Sequence, residues 1–501
     1  MEKLKKIDKK QIKLFLIILA LASFLCLGFL IPHKITDSYW NIQDGYDIYK
    51  LTPLKDGRII HYLILSIVSK SGIPMEAWIL ISQYISIILY SIAIFNIYKL
   101  IKNIVNKKLK VDIKRNNKII NAVILLGSFL IILNPMTVEC FAYVENIIMS
   151  LSILIITYAS KILSENKTYS YIKALFLMLL AALAYQGTLN MWILLSLLFF
   201  SLNDEDKKIK DWVKYLLKIA SIVIILLIFM MGVLKFCELM TNEKQQRIEG
   251  FPTNIESRIY LIIVGIKMVI TTITFGLFPK YLIFSAIIIT LILLCLFSKK
   301  KSTILKYLFC ILIVILSCII PVFLQKTIAI SARISLCIGG IIGFSVIYTL
   351  VKTLNNEKYN ISYLLLSFSI IYLIINIFDY YSLAIMNQIT NKEEEKFCKE
   401  INECIIEYEK NSEYEVNNVM FIRSSRTKDT FNNFPKNTFT QKALLAVYAN
   451  KHCLNYYTGR NLEKNDVTKE IYIMHKKSKE WTESKNENIN FYKETVYVIV
   501  P

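Results

Sequence analysis

Apolar runs almost free of charge recur along the chain, at Leu14 to Ile31, Ala77 to Ile97, Ile219 to Leu234 and Tyr281 to Phe297. Most are near the roughly 20 residues that a helix needs to cross a bilayer. Lipid cannot satisfy open backbone groups, so the pattern predicts helices. The polar stretches between them carry lysines in six clusters, Lys3 to Lys13, Lys99 to Lys118, Lys161 to Lys173, Lys207 to Lys214, Lys299 to Lys306 and Lys352 to Lys358. Putting all six on the cytoplasmic side gives one consistent path. Its spans run near 14–32, 76–100, 118–134, 143–163, 172–186, 188–202, 214–238, 280–298, 304–323, 333–352 and 361–379, with the amino end inside and the carboxyl end outside. The start, Met1 to Lys13, is charged like a signal peptide, but no small-residue cleavage site follows the apolar run, which reads as an uncleaved first span.

Two apolar stretches do not fit as crossings. Ile59 to Val68 is short, and a span at Ile259 to Phe278 would put the lysines at 299–301 outside, so both read as interfacial or re-entrant helices on the outer surface. Beyond Phe378 the pattern changes. Residues 392–415 carry Glu and Lys at helical spacing, Val419 to Ile422 and Val496 to Val500 read as strands, and Gln441 to Ala449 as a helix. The expected fold is therefore an all-α polytopic membrane bundle of about eleven transmembrane helices over residues 1–379. A small extracytoplasmic α/β domain follows over residues 380–501.

Composition narrows the class. With 501 residues, 55% hydrophobic, and only 14 Gly and 9 Pro, the chain is neither disordered nor an ordinary soluble enzyme. The formal charge of +21 does not point to nucleic acid, because the lysines flank apolar runs instead of covering a soluble domain. The ten cysteines form no CxxC pair and no metal-ligand spacing, and seven lie in apolar segments as small hydrophobes. Cys398, Cys404 and Cys453 lie in the tail, where one bridge to Cys453 is compatible with an outer location.

Polar residues gather on the predicted outer face. The first outer loop places His33, Asp37, Asp44, Asp47, Asp56, Arg58 and His61 beside Tyr39, Trp40, Tyr46 and Tyr49. Aspartates there can serve as general base or metal ligand, Arg58 and Lys55 can hold a lipid phosphate, and the aromatics can stack on a sugar. A solvated loop with an interfacial aromatic belt explains any one of these residues equally well. Next, Glu139 and Glu145 bracket Tyr143 after Asn134-Pro135 at the outer interface, where ionisable groups are costly. Snorkelling to the outer water is the alternative for both glutamates. Tyr185-Gln186-Gly187-Thr188-Leu189-Asn190 interrupts two short spans, and Gln186 and Asn190 can bond a sugar hydroxyl or glue helices, the latter favoured by spacing. Arg247, Glu249, Glu256 and Arg258 form another outer loop, and Lys326 and Arg333 flank the last outer junction, where cations suit a lipid phosphate.

These residues resemble the GtrII-type glucosyltransferases, membrane enzymes of the GT-C-like class. Asp37-Ser38 and Asp56-Gly57-Arg58 look like that family's acidic pair and GR stretch. Asn134, Pro135, Glu139, Tyr143, Glu145 and Met149 look like its second motif, and Tyr185, Gln186 and Asn190 its third. The match covers about the first 200 residues in motif and the rest in architecture only. Ser38 replaces the second acid of the pair, and Glu145 stands where an aspartate is expected. The resemblance implies transfer of a hexose, glucose in the first place, from a polyprenyl-phosphate carrier to a glycopolymer outside a bacterial inner membrane. Asp37 would be the general base or metal ligand and Glu145 a second catalytic carboxylate. Asp44, Asp56, Arg58, His61, Glu139, Tyr143, Tyr185, Gln186, Asn190 and Arg333 would bind substrate. No metal ligand set is assigned, and a role for a divalent cation, Mg or Mn, stays open.

Two rival classes remain. A transporter or flippase for lipid-linked sugars would place ionisable groups near the midplane, and here they collect on one face. A polysaccharide polymerase would carry a larger Arg-rich outer loop between late spans, and a non-catalytic scaffold would bind through the tail.

Overall fold

Helices dominate the computed structural model, as the apolar runs require. It describes residues 9–108, 117–165, 168–203, 209–242, 255–274, 281–298, 301–319, 332–354, 360–423, 442–464 and 469–500. Arg247, Glu249 and Lys326 lie outside the described residues. The chain divides into two units. The first comprises Met1–Leu30, Lys50–Ile73 and Leu80–Tyr381, and the second comprises Ile31–Tyr49, Pro74–Ile79 and Ser382–Pro501.

In the first unit the helix Leu336–Thr353 is buried along nearly its whole length, with the helices Asn117–Ile132, Asn190–Leu202, Leu282–Phe297 and Lys301–Ser317 against it. Every side chain of Asn190–Leu202 is buried as well. Such all-round apolarity marks helices surrounded by other helices. Among the described residues five helices are long and apolar enough to cross a membrane: Met75–Lys107, Asn146–Ser164, Lys210–Thr241, Leu336–Thr353 and Ile361–Asn411. Other apolar helices, such as Tyr169–Ala184 and Leu282–Phe297, stop at 10–17 residues. At about 1.5 Å per residue these fall short of the roughly 30 Å hydrocarbon core.

The second unit is built around a five-stranded sheet of order β2-β1-β5-β4-β3, with β1 Asn418–Arg423, β2 Glu463–Lys464, β3 Trp481–Glu483, β4 Ile489–Tyr492 and β5 Thr495–Val500. The strands β1 and β5 pair in parallel, Val419 opposite Val496, while β4 and β5 form a tight antiparallel hairpin, Tyr492 opposite Thr495. One face of the sheet packs Val419, Phe491, Val496 and Val498 onto Phe397, Cys398, Ile401 and Ile405 of the long helix Asn360–Asn411 and onto Leu454 of the helix Asn450–Thr458. Tyr39 joins the same core.

Three elements differ from the sequence pattern. The first outer segment is helical at Thr36–Tyr49, with a break at Gly45, and at Leu51–Lys55. The span ending near residue 379 and the charged tail helix are one continuous helix, Asn360–Asn411. In place of the helix expected over Gln441–Ala449, of which Gln441 lies outside the described residues, the structure has a 3₁₀ turn at Ala443–Leu445 and then a separate helix, Asn450–Thr458. Its upstream residues are held otherwise, because the Glu394 carboxylate accepts the backbone N–H groups of Ala443 and Leu444 and the hydroxyl of Tyr39. Burial pushes that carboxyl up to about 7. No two of the ten cysteines are bonded in the structure, so the bridge to Cys453 that the sequence allows is not formed there.

Candidate functional site

Four interruptions between helices of the first unit carry most of the polar residues that the sequence singled out. At the first, Gly57 adopts φ 72°, a left-handed conformation that glycine enters at little cost. It turns the chain between the helices Leu51–Lys55 and Ile59–Lys70 and leaves Asp56 and Arg58 side by side. The Arg58 guanidinium reaches Asp56 Oδ2 at 3.2 Å and Glu145 Oε1 at 3.4 Å, and it lies 4.7 Å from the centre of the Tyr185 ring. Burial opposes the Arg58 charge, but Asp56, Tyr185 and Glu145 outweigh it and hold the pKa above the usual guanidinium value.

Glu139 lies on a short 3₁₀ turn, Thr137–Ala142, which the preceding Asn134 organises. Asn134 donates from Nδ2 to the carbonyls of Ile131 and Leu336, and its Oδ1 accepts the N–H groups of Met136 and Thr137. The Asn-Pro signal thus marks a buried clamp between two helices. Glu139 Oε2 accepts the backbone N–H of Arg333 at 2.7 Å, and burial raises its pKa despite the nearby cation. Arg333 itself sits on the turn Ala332–Ile334, its guanidinium stacked 3.8 Å from the centre of the Tyr143 ring. The Tyr143 carbonyl is held by Gln83 Nε2 at 3.0 Å, and Gln83 bonds Asn146, which in turn accepts from Tyr90.

The two arginines are not equivalent. Arg58 is paired with two carboxylates, whereas Arg333 makes no side-chain ion pair among the described residues. Buried atoms without a hydrogen-bond partner among the described residues include Arg58 Nε, Arg333 Nε and Glu145 Oε2. A guanidinium with donors to spare, together with a carboxylate oxygen that retains its lone pairs, can hold an anion and accept a proton.

The remaining candidates hold elements together. Gln186 Nε2 donates to the Asp56 carbonyl at 3.2 Å, and Asn190 Nδ2 donates to the Ile334 carbonyl. Buried His61 is pushed down to about 3 by burial and by Arg58, so it is a neutral imidazole at ordinary pH. Asp37 and Asp44 belong to the second unit. There Tyr448 Oη donates to Asp37 Oδ1 at 3.1 Å, and His452, hydrogen-bonded to Gln43, lies 4.0 Å from Asp44.

Among the described residues no group of three or more His, Cys, Asp or Glu side chains is placed to hold a metal ion, and Asp56 and Glu145 are committed to Arg58. Sequence reasoning passed over Gln83, Tyr90 and Asn146. Their signal was present, since the polar run Ser82-Gln83-Tyr84 interrupts the apolar residues of a predicted span. No family model, curated protein or solved structure matches the chain.

Proposed function

We propose that the chain is a polytopic membrane glycosyltransferase that moves a hexose, glucose in the first place, from a polyprenyl-phosphate carrier to an envelope glycopolymer outside the membrane. The observation that carries the reading is Arg333, a largely buried cation over the Tyr143 ring that makes no salt bridge among the described residues and lies within electrostatic reach of Glu139, Glu145 and Arg58. A cation kept in this state suits an anion that comes and goes, and a sugar phosphate ester is such an anion. The five long apolar helices support a place in a membrane, and the proposal adds the path of about eleven spans with a cytoplasmic amino end that the lysine clusters suggest. On the helix Ile209–Thr241, the exposed Ile224, Ile228 and Leu239 would then face lipid.

The chemistry follows from the residues. Glu145 Oε2 takes the proton of an acceptor hydroxyl as its oxygen attacks the anomeric carbon. The bond from that carbon to the phosphate oxygen breaks, the configuration inverts, and the electron pair leaves on the carrier phosphate. Arg333 and the Nε–H of Arg58 stabilise the charge that develops there. Resemblance points to Asp37 as the base, but Glu145 belongs to the same unit as both arginines and has an oxygen without a hydrogen-bond partner among the described residues. The interior polar groups Gln83, Tyr90 and Asn146 satisfy one another, which favours one-sided chemistry over a transport path through the bundle.

The test is donor affinity in vesicles. Arg333→Ala is expected to weaken binding of polyprenyl-phosphate glucose by about 10- to 100-fold, the equivalent of one charge-assisted hydrogen-bond set of roughly 1.5–3 kcal/mol. Unchanged affinity would overturn the assignment.

A further inference from the structure

We propose that Cys318 and Cys337 form a disulfide that pins the turn carrying Arg333 to the helix before it. Cys318 directly follows the helix Lys301–Ser317, and Cys337 is the second residue of Leu336–Thr353. Their Sγ atoms are 3.2 Å apart and both residues are fully buried. At that separation one thiol hydrogen-bonds the other, and a shift of about 1 Å reaches the S–S bond length. Around the pair the contacts are weak and neutral. Asn190 Nδ2 lies 3.7 Å from Cys318 Sγ, Ser317 Oγ lies 3.9 Å from Cys337 Sγ, and the carbonyl of Val314 lies 3.8–3.9 Å from the two sulfurs. No described carboxylate or imidazole joins them as a metal site.

The position gives the bond a purpose. Arg333 precedes Cys337 by four residues, its backbone N–H is held by Glu139, and Asn190 binds the Ile334 carbonyl. A covalent link across 19 residues would close the segment between the two helices into a loop and limit how far the Arg333 turn can drift.

The inference rests on the outward placement of this end of the bundle, where thiols meet an oxidising compartment. Because both thiols end up buried, exchange takes place before the helices pack. The Cys337 thiolate attacks the disulfide of an outer-face thiol–disulfide oxidoreductase, and one oxidoreductase sulfur leaves as a thiolate. The Cys318 thiolate then displaces the second. The two cysteines lose two protons and two electrons, and the oxidoreductase disulfide is reduced to two thiols.

The experiment reads sulfur state and not sugar transfer, so failure of the proposed activity leaves it interpretable. Cells expressing the full chain are quenched in acid, alkylated in denaturant and digested for mass spectrometry with and without reduction. Peptides bearing Cys318 and Cys337 are expected to be joined before reduction and separate after it. In Cys337→Ser the link is expected to vanish and Cys318 to carry the alkyl group. The purified protein is treated with diamide in parallel. If both cysteines are alkylated in cells and diamide fails to join them, the geometry and the proposal are overturned. If they are alkylated in cells but joined by diamide, the native disulfide is overturned while the geometry and the proposed function stand.

Discussion

Glu139 Oε2 accepts the backbone N–H of Arg333 at 2.7 Å, a bond that spans 194 residues of sequence. It fixes the backbone of a turn whose guanidinium lies over the Tyr143 ring and makes no salt bridge among the described residues. The proposed mechanism makes Glu139 a positioning residue, and an acceptor oxygen is all that it must supply. Glu139→Gln, which keeps such an oxygen, is expected to retain transfer within about threefold. Glu139→Ala leaves a buried donor unmet and is expected to lower kcat/KM by about 10-fold or more. Steady-state kinetics with polyprenyl-phosphate glucose distinguish these outcomes, and equal losses in both variants would argue for a charge role instead.

Stacking predicts a separate effect. The planar Arg333 guanidinium covers the Tyr143 ring at 3.8 Å, a geometry that an ammonium group does not reproduce. Arg333→Lys is expected to raise the donor KM by about 5- to 30-fold, the equivalent of about 1–2 kcal/mol, with a smaller change in kcat.

Close helix packing in the first unit makes a third prediction. A Cβ at Gly343 would stand 2.3 Å from the Gly127 carbonyl oxygen and 2.6 Å from the Ile131 nitrogen, both backbone atoms that cannot step aside. Gly343→Ala is expected to destabilise by about 1–3 kcal/mol. At Gly232, on the helix Ile209–Thr241, a Cβ meets nothing within 4 Å, and alanine there is expected to be neutral or stabilising by up to about 1 kcal/mol. Unfolding in detergent compares the two.

The second unit has a pH dependence of definite sign. Glu394 is raised from 4.5 to about 7, chiefly by burial. Below the lower value it is protonated in both the folded and the unfolded chain, and its contribution to stability is complete. Between the two values the unfolded chain loses its proton first, so stability falls as pH rises, by roughly 3 kcal/mol in all. Protection of the Ala443 and Leu444 amides against hydrogen exchange, corrected for intrinsic rates, is expected to drop across that window. In Glu394→Gln it is expected to stay flat. A slope unchanged in the variant would assign the effect to another group.

How much was legible in the sequence follows from the range of the forces involved. Helices could be read from their apolar runs, and β1 and β5 from the short blocks at Val419 and Val496, because burial imposes its pattern locally. The polar residues at helix breaks were visible as costly exceptions. Their pairing was not, since Arg58 meets Glu145 across 87 residues and periodicity carries no information at that distance. That the stretch before the helix Asn450–Thr458 is a turn was hidden for a similar reason, because Glu394 binds Ala443 and Leu444 from about 50 residues upstream. Resemblance drew attention to Asp37, but only the fold assigns it to a unit in which Tyr448, 411 residues away, is its partner.

The most direct test of the proposed function is transfer of radiolabelled glucose from polyprenyl-phosphate glucose into polymer by membrane vesicles carrying either the parent or Glu145→Gln. Loss of the basic Oε2 is predicted to lower transfer by at least about 100-fold while donor binding persists. Transfer at the parental rate by Glu145→Gln would contradict the account.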